Sequence, residues 1–240
     1  MKNILLLTAF TAVIIFSQAQ GTRVIEDKNA QKRDVKGFHG IRISGGIDLY
    51  LSQGGNEAVA VSASSSSDRD RIKTEVENGI LSISMDNGGF QWGTPGNRKL
   101  KAYVSCKVLD ALKASGGSDV FLEDLLKSER LDLEISGGSD LKGKVSIGNL
   151  IVNQTGGSDS YISGTASRLS VHATGGSDFH GYDLESGECQ IEATGGSDVH
   201  ITVNKELSVS ASGGSDVTYK GSAVIRDQHS SGSSSITKKG

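Results

Sequence analysis

The amino-acid sequence predicts an all-β protein folded as a right-handed parallel β-helix, a solenoid in which each coil takes about nineteen residues. Three observations lead to this prediction. The four residues Gly-Gly-Ser-Asp recur six times, 18 to 21 residues apart. Apolar and polar residues alternate before each copy, and no segment has a helical pattern. Glycine occurs 32 times and proline once, which is typical of a repeat structure with many turns.

The repeats are compared by aligning the six copies on their first glycine: Gly116, Gly137, Gly156, Gly175, Gly195 and Gly213. The position four residues earlier is always aliphatic: Leu112, Leu133, Val152, Val171, Ile191 and Val209. The next residue is polar in every copy and the one after that is mostly apolar, and this period of two indicates a strand with one buried face. A single coil cannot bury that face alone, whereas stacked coils can.

The Gly-Gly-Ser-Asp copies predict a turn at the same corner of every coil. Glycine adopts positive φ without strain, and Ser and Asp side chains can bond to nearby backbone N–H groups. The hexapeptide pattern of left-handed β-helices is missing and the period drifts, so we expect the right-handed form. Residues 44–48 (SGGID) are an earlier relative of the motif, and residues 231–235 (SGSSS) are a degenerate seventh copy.

The start of the chain predicts export. Lys2 precedes an apolar stretch over 4–16 that is too short to span a bilayer, and Ser17-Gln18-Ala19 fits a cleavage pattern. We therefore expect a signal peptide over 1–19, a location in the periplasm or on the outer cell surface, and no transmembrane segment in the mature chain. Residues 20–36 are expected to form a flexible lead-in.

The rest of the chain is expected to form a single domain over 37–236. Within it, 37–105 should be less regular β-structure and 106–236 regular coils, followed by a tail over 237–240. The chain has 25 basic and 28 acidic residues, or 24 and 28 once Lys2 is removed. That acidic balance argues against nucleic acid as a partner, because nucleic-acid binding needs a basic surface.

The two cysteines, Cys106 and Cys189, fall about four coils apart in this arrangement. We therefore expect free thiols, with Cys189 filling a core position as a small apolar side chain.

Three stretches resemble the family known as "putative auto-transporter adhesin, head GIN domain", which is found in secreted Bacteroidetes proteins. They are 38–54 (FHGIRISGGIDLYLSQG), 78–83 (NGILSI) and the recurrent SGGSD. The resemblance covers roughly 37–220. It implies a right-handed parallel β-helix and a signal peptide, and it implies no catalytic residues, since the family is a domain of unknown function.

The most distinctive column of residues is acidic: Asp119, Asp140, Asp159, Asp178, Asp198 and Asp216. In stacked coils these side chains would face outward about 4.8 Å apart, where neighbouring charges repel by roughly 0.9 kcal/mol in a water-like dielectric. Two arrangements would relieve the repulsion: backbone N–H donors at each turn, or a line of bound calcium ions, which prefer oxygen ligands. No other cofactor is expected.

A second column is expected two residues after each aspartate: Phe121, Lys142, Tyr161, His180, His200 and Thr218. The histidine pair could bind Zn²⁺ or Cu²⁺. The column could equally be an ordinary exposed sheet face or a strip that contacts a glycan or a surface protein. Trp92, in a long hairpin loop over 86–99, could stack on a sugar or fold back over the end of the solenoid. Tyr161, His180, His200 and Trp92 are therefore the candidate binding residues.

No catalytic constellation stands out. The sequence has no Gly-x-Ser-x-Gly turn and no pair of carboxyl groups in evidently different environments, as glycoside hydrolysis needs. We expect a non-enzymatic envelope or surface protein, adhesin or binding module that presents a parallel sheet face. Two alternatives remain open: a calcium-dependent carbohydrate-binding or polysaccharide-processing β-helix, and an assembly module whose end coils pair with another copy.

Overall fold

The computed structural model describes residues 13–18, 21–86 and 98–240, with side chains from residue 27 onward. Trp92, the proposed cleavage site after Ala19 and most of the expected signal peptide lie outside the described residues. Strands make up 67% of the chain and helix 2%, in a parallel solenoid of about seven turns. The predicted parallel β-solenoid is therefore confirmed.

The strands are numbered in chain order. They are β1 (Val13–Gln18), β2 (Gly21–Glu26), β3 (Gln31–Arg33), β4 (Gly40–Ser44), β5 (Asp48–Gln53), β6 (Ala58–Ser62), β7 (Ile72–Glu77), β8 (Ile80–Met85), β9 (Lys101–Cys106), β10 (Ala111–Ser115), β11 (Val120–Leu122), β12 (Leu126–Ser136), β13 (Leu141–Gly156), β14 (Asp159–Gly175), β15 (Asp178–Gly195), β16 (Asp198–Ala211), β17 (Asp216–Lys220), β18 (Val224–Ser230) and β19 (Ser235–Lys238). The short helix α1 (Ser66–Asp70) begins at Ser65, whose hydroxyl accepts the Asp68 N–H. Strands β1 and β2 form a separate antiparallel pair.

The regular coils stack in parallel and in the predicted register. Val152 lies opposite Val171, and Val171 lies opposite Ile191. All three side chains are buried in one contiguous core. The alternation of apolar and polar residues in the sequence therefore corresponds to an inner and an outer face, because successive side chains of a strand point to opposite sides.

The order of the coils differs from the order of the chain. Strand β10 pairs in parallel with both β4 and β12, and β4 pairs on its other side with β8. The coil that contains β4 and β5 therefore lies second in the stack, and the coil of β8 and β9 lies outermost.

The predicted hairpin around 86–99 is wrong. Strands β8 and β9 do not pair with each other; they pair in parallel with β4 and β5, as successive strands of one coil.

Antiparallel strands flank the outermost coil. Strand β6 pairs with β9, β7 pairs with β8, and β3 pairs with β6. The expected flexible lead-in over 20–36 is thus corrected, because its residues 31–33 form β3. The Arg33 guanidinium holds this strand in place by donating to the main-chain oxygens of Arg69 and Ile72.

The opposite end of the stack is a bare coil made of β18 and β19, which pair with β16 and β17. Ile225 and Ile236 of this coil pack against the core, but three other positions carry Gln228, Ser230 and Lys238, opposite the buried Val209, Ala211 and Tyr219 respectively. Polar side chains at these positions disfavour further stacking of strands. The expected tail over 237–240 is shorter than predicted, since β19 reaches residue 238 and the Lys239 N–H donates to the Tyr219 oxygen over 2.8 Å.

Both cysteines are free and Cys189 is buried, as predicted; Cys106 is buried as well. Burial raises the pKa of the Cys106 thiol to about 12 and raises the pKa of the Cys189 thiol as well, so both remain protonated near neutral pH. Within the described part of the chain, no helix is long and apolar enough to cross a membrane.

The Gly-Gly-Ser-Asp turn adopts two geometries. In the turns at 45–48, 116–119 and 137–140, which we call the N-terminal turns, both glycines have positive φ. Gly137 and Gly138, for example, have φ of 66° and 74°. From Gly156 onward only the first glycine has positive φ. We call these later turns the C-terminal turns.

The buried serine of the motif is used differently in the two sets. In the N-terminal turns at 116–119 and 137–140 its hydroxyl accepts a backbone amide of the preceding coil, as when the Ser118 N–H donates to Ser139 Oγ over 2.9 Å. The turn at 45–48 has Ile47 at this position. In the C-terminal turns the hydroxyl donates instead. Ser197 Oγ donates to the Thr194 oxygen of its own turn (3.2 Å) and to the Ala173 oxygen of the preceding coil (3.1 Å).

Candidate functional site

The outward aspartates form a hydrogen-bonded ladder between coils. Asp119 Oδ1 accepts the Asp140 N–H over 3.0 Å, and Asp140 Oδ1 accepts the Asp159 N–H over 3.1 Å. Farther along, Asp178 Oδ1 accepts the Asp198 N–H over 3.1 Å. Backbone N–H donors, one of the two arrangements that could relieve repulsion in this column, are therefore present at Asp119, Asp140 and Asp178.

Some repulsion persists along the ladder. Burial, together with the charges of Asp140 and Asp178, raises the pKa of Asp159. Burial and the charge of Asp119 likewise raise the pKa of Asp48, which extends the ladder by one coil. In the described ranges, no group of three or more His, Cys, Asp or Glu side chains is arranged to hold a metal ion. Calcium binding by the aspartates and metal binding by His180 and His200 stay predictions.

The second outward column carries mainly rings. It contains one side chain from each of seven successive coils: Tyr103, Tyr50, Phe121, Lys142, Tyr161, His180 and His200. We call this set the ring column. The structure brings Tyr161, His180 and His200 together as the sequence predicts, and it adds Tyr50 and Tyr103.

Of the two added residues, Tyr50 could have been found from the sequence and Tyr103 could not. Tyr50 stands two positions after Asp48, in the early relative of the repeat. Tyr103 has no such signal, because its coil lacks the motif.

The rings of the column stack in two blocks. In the first, the centroids of Tyr103 and Tyr50 are 5.3 Å apart, and those of Tyr50 and Phe121 are 5.2 Å apart. In the second, Tyr161 lies 4.4 Å from His180, which lies 5.6 Å from His200, with interplanar angles of 13° and 8°. The ring faces therefore look along the solenoid axis, and the ring edges look outward.

The two blocks differ in accessibility. Tyr103 is buried beneath Ala30 and Ala60, and its hydroxyl donates to Asp27 Oδ2 over 3.0 Å. Tyr161, by contrast, is 45% exposed. The accessible part of the ring column is therefore the middle of the solenoid.

A groove of about 820 Å³ runs beside this accessible part. Its walls include Phe121, Lys142, Tyr161 and His180 of the ring column. Glu123, Lys144, Tyr182 and Asp183 also line the groove. Beside the groove the coil of His180 has one extra residue, because Tyr161 lies opposite His180 whereas Gly164 lies opposite Leu184.

Four lysines near the groove differ in their contacts. Lys220 and Lys239 place their ammonium groups 4.4 and 5.2 Å from the centre of the Tyr182 ring, within range of cation–π attraction. Lys142 and Lys144 are exposed, and neither forms an ion pair with any residue that the structure describes.

His200 closes the accessible end of the column in a neutral form near pH 7. Burial, helped by the neighbouring His180, lowers the pKa of its imidazole. Its Nδ1 atom is buried and has no hydrogen-bond partner in the described structure. The column thus offers hydrogen-bonding ring edges rather than a fixed positive charge at this end.

Several solved structures have the same fold as this chain. A "putative adhesin" from Bacteroides fragilis has a TM-score of 0.80 at 20% identity, covering 88% of this chain and 96% of that protein. A "putative lipid binding protein" from Parabacteroides distasonis has a TM-score of 0.68 at 19% identity, covering 88% and 97%. A "putative adhesin" from Parabacteroides merdae has a TM-score of 0.68 at 16% identity, covering 88% and 95%. A search among curated proteins finds no match.

A sequence model of one protein family matches residues 37–223, which is more than half of the chain. The match includes all six Gly-Gly-Ser-Asp turns and the whole ring column. The protein therefore belongs to the family described as "Putative auto-transporter adhesin, head GIN domain".

Proposed function

We propose that this protein is an exported, non-enzymatic binding protein of the cell envelope, and that the ring column with its groove is the ligand-binding face. The observation that carries this proposal is the exposed Tyr161–His180 stack beside a groove of about 820 Å³. Family membership and the descriptions of similar structures as adhesins or binding proteins support it.

The other exposed face of the coils is a weaker candidate because its charged groups bind one another. Lys113 pairs with Glu134. His172 Nδ1 lies 3.2 Å from Glu192 Oε2, and Arg168 Nε lies 3.0 Å from Glu188 Oε2. Paired surface charges contribute little stability and are already satisfied. The ring column and its groove, in contrast, present side chains with free hydrogen-bonding capacity.

Export through the signal peptide over 1–19 would deliver this face to the periplasm or the outer cell surface. The ligand classes that suit it are glycans and surface proteins. A rigid parallel sheet holds the side chains at one-coil spacing, so little conformational entropy is lost when an extended ligand binds.

The alternative of a calcium-dependent or polysaccharide-processing protein finds less support. At three of its positions the aspartate ladder already accepts backbone N–H groups. Each such bond uses carboxylate oxygen that a calcium ion would otherwise share.

A glycan array and a pull-down with residues 20–240 would test the proposal. We expect a ligand to bind the wild type and to bind the Tyr161→Ala/His180→Ala variant at least about tenfold more weakly, because exposed aromatic side chains are common binding hot spots. His172→Ala, on the other face, is the matched control and should bind normally. Equal binding by all three proteins, each with unchanged circular dichroism, would place the ligand elsewhere.

A further inference from the structure

Three successive coils carry the same kind of side-chain pair on their outer surface, an aspartate and, two residues later, a polar ring. The pairs are Asp159 with Tyr161, Asp178 with His180, and Asp198 with His200. The three strands align in register. We call these six residues the Asp–ring array. Its rows repeat about every 4.8 Å along the solenoid, and its two columns lie about 6.6 Å apart.

The ring column of the array offers groups that both donate and accept. The ring faces look along the solenoid axis, so the edges meet a ligand. The Tyr161 hydroxyl can donate and accept, and a neutral imidazole has one donor nitrogen and one acceptor nitrogen. Tyr161 is also the most accessible member, at 45% exposed. A ligand in contact with these edges therefore binds through hydrogen bonds.

The aspartate column of the array only accepts. An ionised carboxylate has two acceptor oxygens and no donor, and the backbone uses one of them, as when Asp178 Oδ1 accepts the Asp198 N–H over 3.1 Å. None of the three carboxylates pairs with a cation among the described residues. Burial and neighbouring charges raise the pKa of Asp159. A ligand that brings hydrogen-bond donors would relieve this repulsion.

Charge around the array favours a neutral ligand. An anion would meet the three carboxylates and be repelled. A cation would meet lysines at both ends. Lys142 precedes Tyr161 in the ring column, and Lys220 and Lys239 lie over Tyr182, which contacts the last ring of the array. The complementary ligand is therefore uncharged and rich in donors, as a polyhydroxylated molecule is.

The repeat of the array favours a chain of sugar units. A linear ligand along the solenoid axis meets an equivalent row about every 4.8 Å. An extended peptide presents side chains on one face only about every 6.6 Å, so it would lose register with the rows. Pyranose units are comparable in length to one coil, and each carries hydroxyl groups. A glycan chain can thus repeat similar bonds in successive rows.

We propose that the Asp–ring array binds a linear neutral glycan that lies along the solenoid axis. Hydroxyl groups of successive sugar units donate to the second oxygens of the three carboxylates and bond to the three ring edges. This inference rests on the proposed function of the ring column and names the class of its ligand.

Calorimetric titration of the protein with five linear hexasaccharides would test the inference. Three are neutral (cellohexaose, xylohexaose and mannohexaose), one is acidic (hexagalacturonate) and one is basic (the chitosan hexamer). We expect at least one neutral hexasaccharide to bind at least tenfold more tightly than both charged ones. The corresponding disaccharide should bind at least tenfold more weakly than the hexasaccharide, because it spans fewer rows.

Variants of the array test the assigned contacts. Asp159→Asn/Asp178→Asn keeps an oxygen for the backbone amides and replaces the other oxygen by an NH₂ donor. It should bind the neutral hexasaccharide at least tenfold more weakly, since bonds to charged acceptors are about twice as strong as neutral ones. Tyr161→Phe keeps the stacked ring without its hydroxyl and should bind at least threefold more weakly. Asp119→Asn makes the same change in the ladder outside the array and should bind like wild type.

The outcomes separate the two proposals. Tighter binding of a charged hexasaccharide, lost in Tyr161→Ala/His180→Ala, would overturn the neutral glycan and leave the binding face standing. Equal binding by Asp159→Asn/Asp178→Asn and Asp119→Asn would overturn the array as the site. If no hexasaccharide binds but a surface protein is captured through Tyr161 and His180, the glycan is wrong and the function stands. If Tyr161→Ala/His180→Ala affects no ligand, both proposals fail.

Discussion

The N-terminal and C-terminal turns share the Gly-Gly-Ser-Asp motif but differ in how its groups bond. In the N-terminal turns the second glycine has positive φ, and the hydroxyls of Ser118 and Ser139 accept an amide. In the C-terminal turns the N–H of the second glycine instead bonds to the backbone of the preceding coil, as when the Gly196 N–H donates to the Gly175 oxygen over 2.7 Å. The serine hydroxyl of these turns donates to carbonyl oxygens. A repeated motif thus determines which residues occupy a corner, while neighbouring coils determine which groups donate and which accept.

Gln154 lies where the two turn geometries meet. It is fully buried, in a column where the adjacent coils have Ile135 and Ala173. Its Nε2 group donates to the Ser158 oxygen over 3.0 Å and to the Asp178 oxygen over 3.1 Å. A buried amide at this position satisfies carbonyls at the change of geometry, which an apolar side chain would leave without these donors.

The largest effect is expected at the first glycine of a C-terminal turn. Gly213 has a φ of 76°, and a Cβ there would lie 2.7 Å from the Gly195 oxygen. Gly213→Ala should destabilise the protein by about 3 kcal/mol, from left-handed strain plus the backbone clash. Urea unfolding would measure it. Gly214→Ala, which lacks positive φ and has 3.6 Å of clearance, is the control; equal losses would contradict the assigned geometry.

The next largest effect tests the junction itself. Gln154→Ala should cost about 2 kcal/mol, since two buried carbonyls lose a donor and a cavity opens. The neighbouring outward residue gives the control, and Asn153→Ala should stay within about 0.5 kcal/mol of wild type. Thermal unfolding followed by circular dichroism would compare them. An unchanged melting temperature for Gln154→Ala would show that the change of turn geometry does not depend on this amide.

The second glycine provides the most direct comparison of the two sets. Gly138 has a φ of 74°, whereas Gly157 lies outside the left-handed region; neither would bring a Cβ within 4 Å of another group. Gly138→Ala should therefore cost about 1–2 kcal/mol through backbone strain. Gly157→Ala should be neutral or stabilise by about 0.5 kcal/mol, because the unfolded chain loses freedom. Similar unfolding midpoints for both variants would mean that the two geometries are the same.

A smaller effect should be common to both sets of turns, because both use the aspartate ladder. Asp119→Ala and Asp178→Ala should each cost about 1 kcal/mol, the net value of a hydrogen bond to a backbone amide. Asp119→Asn and Asp178→Asn keep the acceptor and should cost less. Addition of a chelator to wild type should leave the melting temperature unchanged. A fall on chelation would instead indicate a line of calcium ions.

The smallest effect concerns Asp159, in the first of the C-terminal turns. Burial and the charges of Asp140 and Asp178 raise its pKa in the folded protein. The resulting penalty is present above the folded pKa and disappears as the pH falls below the unfolded value, near 3.9. Asp159→Asn should therefore raise the melting temperature slightly at pH 7 and not at pH 3. A loss of stability at pH 7 would show that the charge is needed.

The solenoid could be predicted because the nineteen-residue repeat and the alternation of apolar and polar residues are both visible along the chain itself. Spacing alone identifies Val152, Val171 and Ile191 as stacked neighbours. The same spacing identifies Tyr161, His180 and His200 as one outward column.

Other features depend on contacts that no spacing reveals. The coil of residues 80–106 lacks the motif, so neither its outermost position nor the stacking of Tyr103 could be predicted. The two turn geometries share one motif, so only the hydrogen bonds distinguish them.

The position of β4 and β5 between two later coils has a consequence for assembly of the chain. Residues in the coils from 126 onward meet partners about nineteen positions away, as in the bond between Asp140 and Asp159. Ile47, in contrast, bonds to Ser118 across 71 positions. Closing that long loop costs more entropy and slows pairing. The later coils can therefore form as a local nucleus, and the amino-terminal strands dock onto a template that already exists.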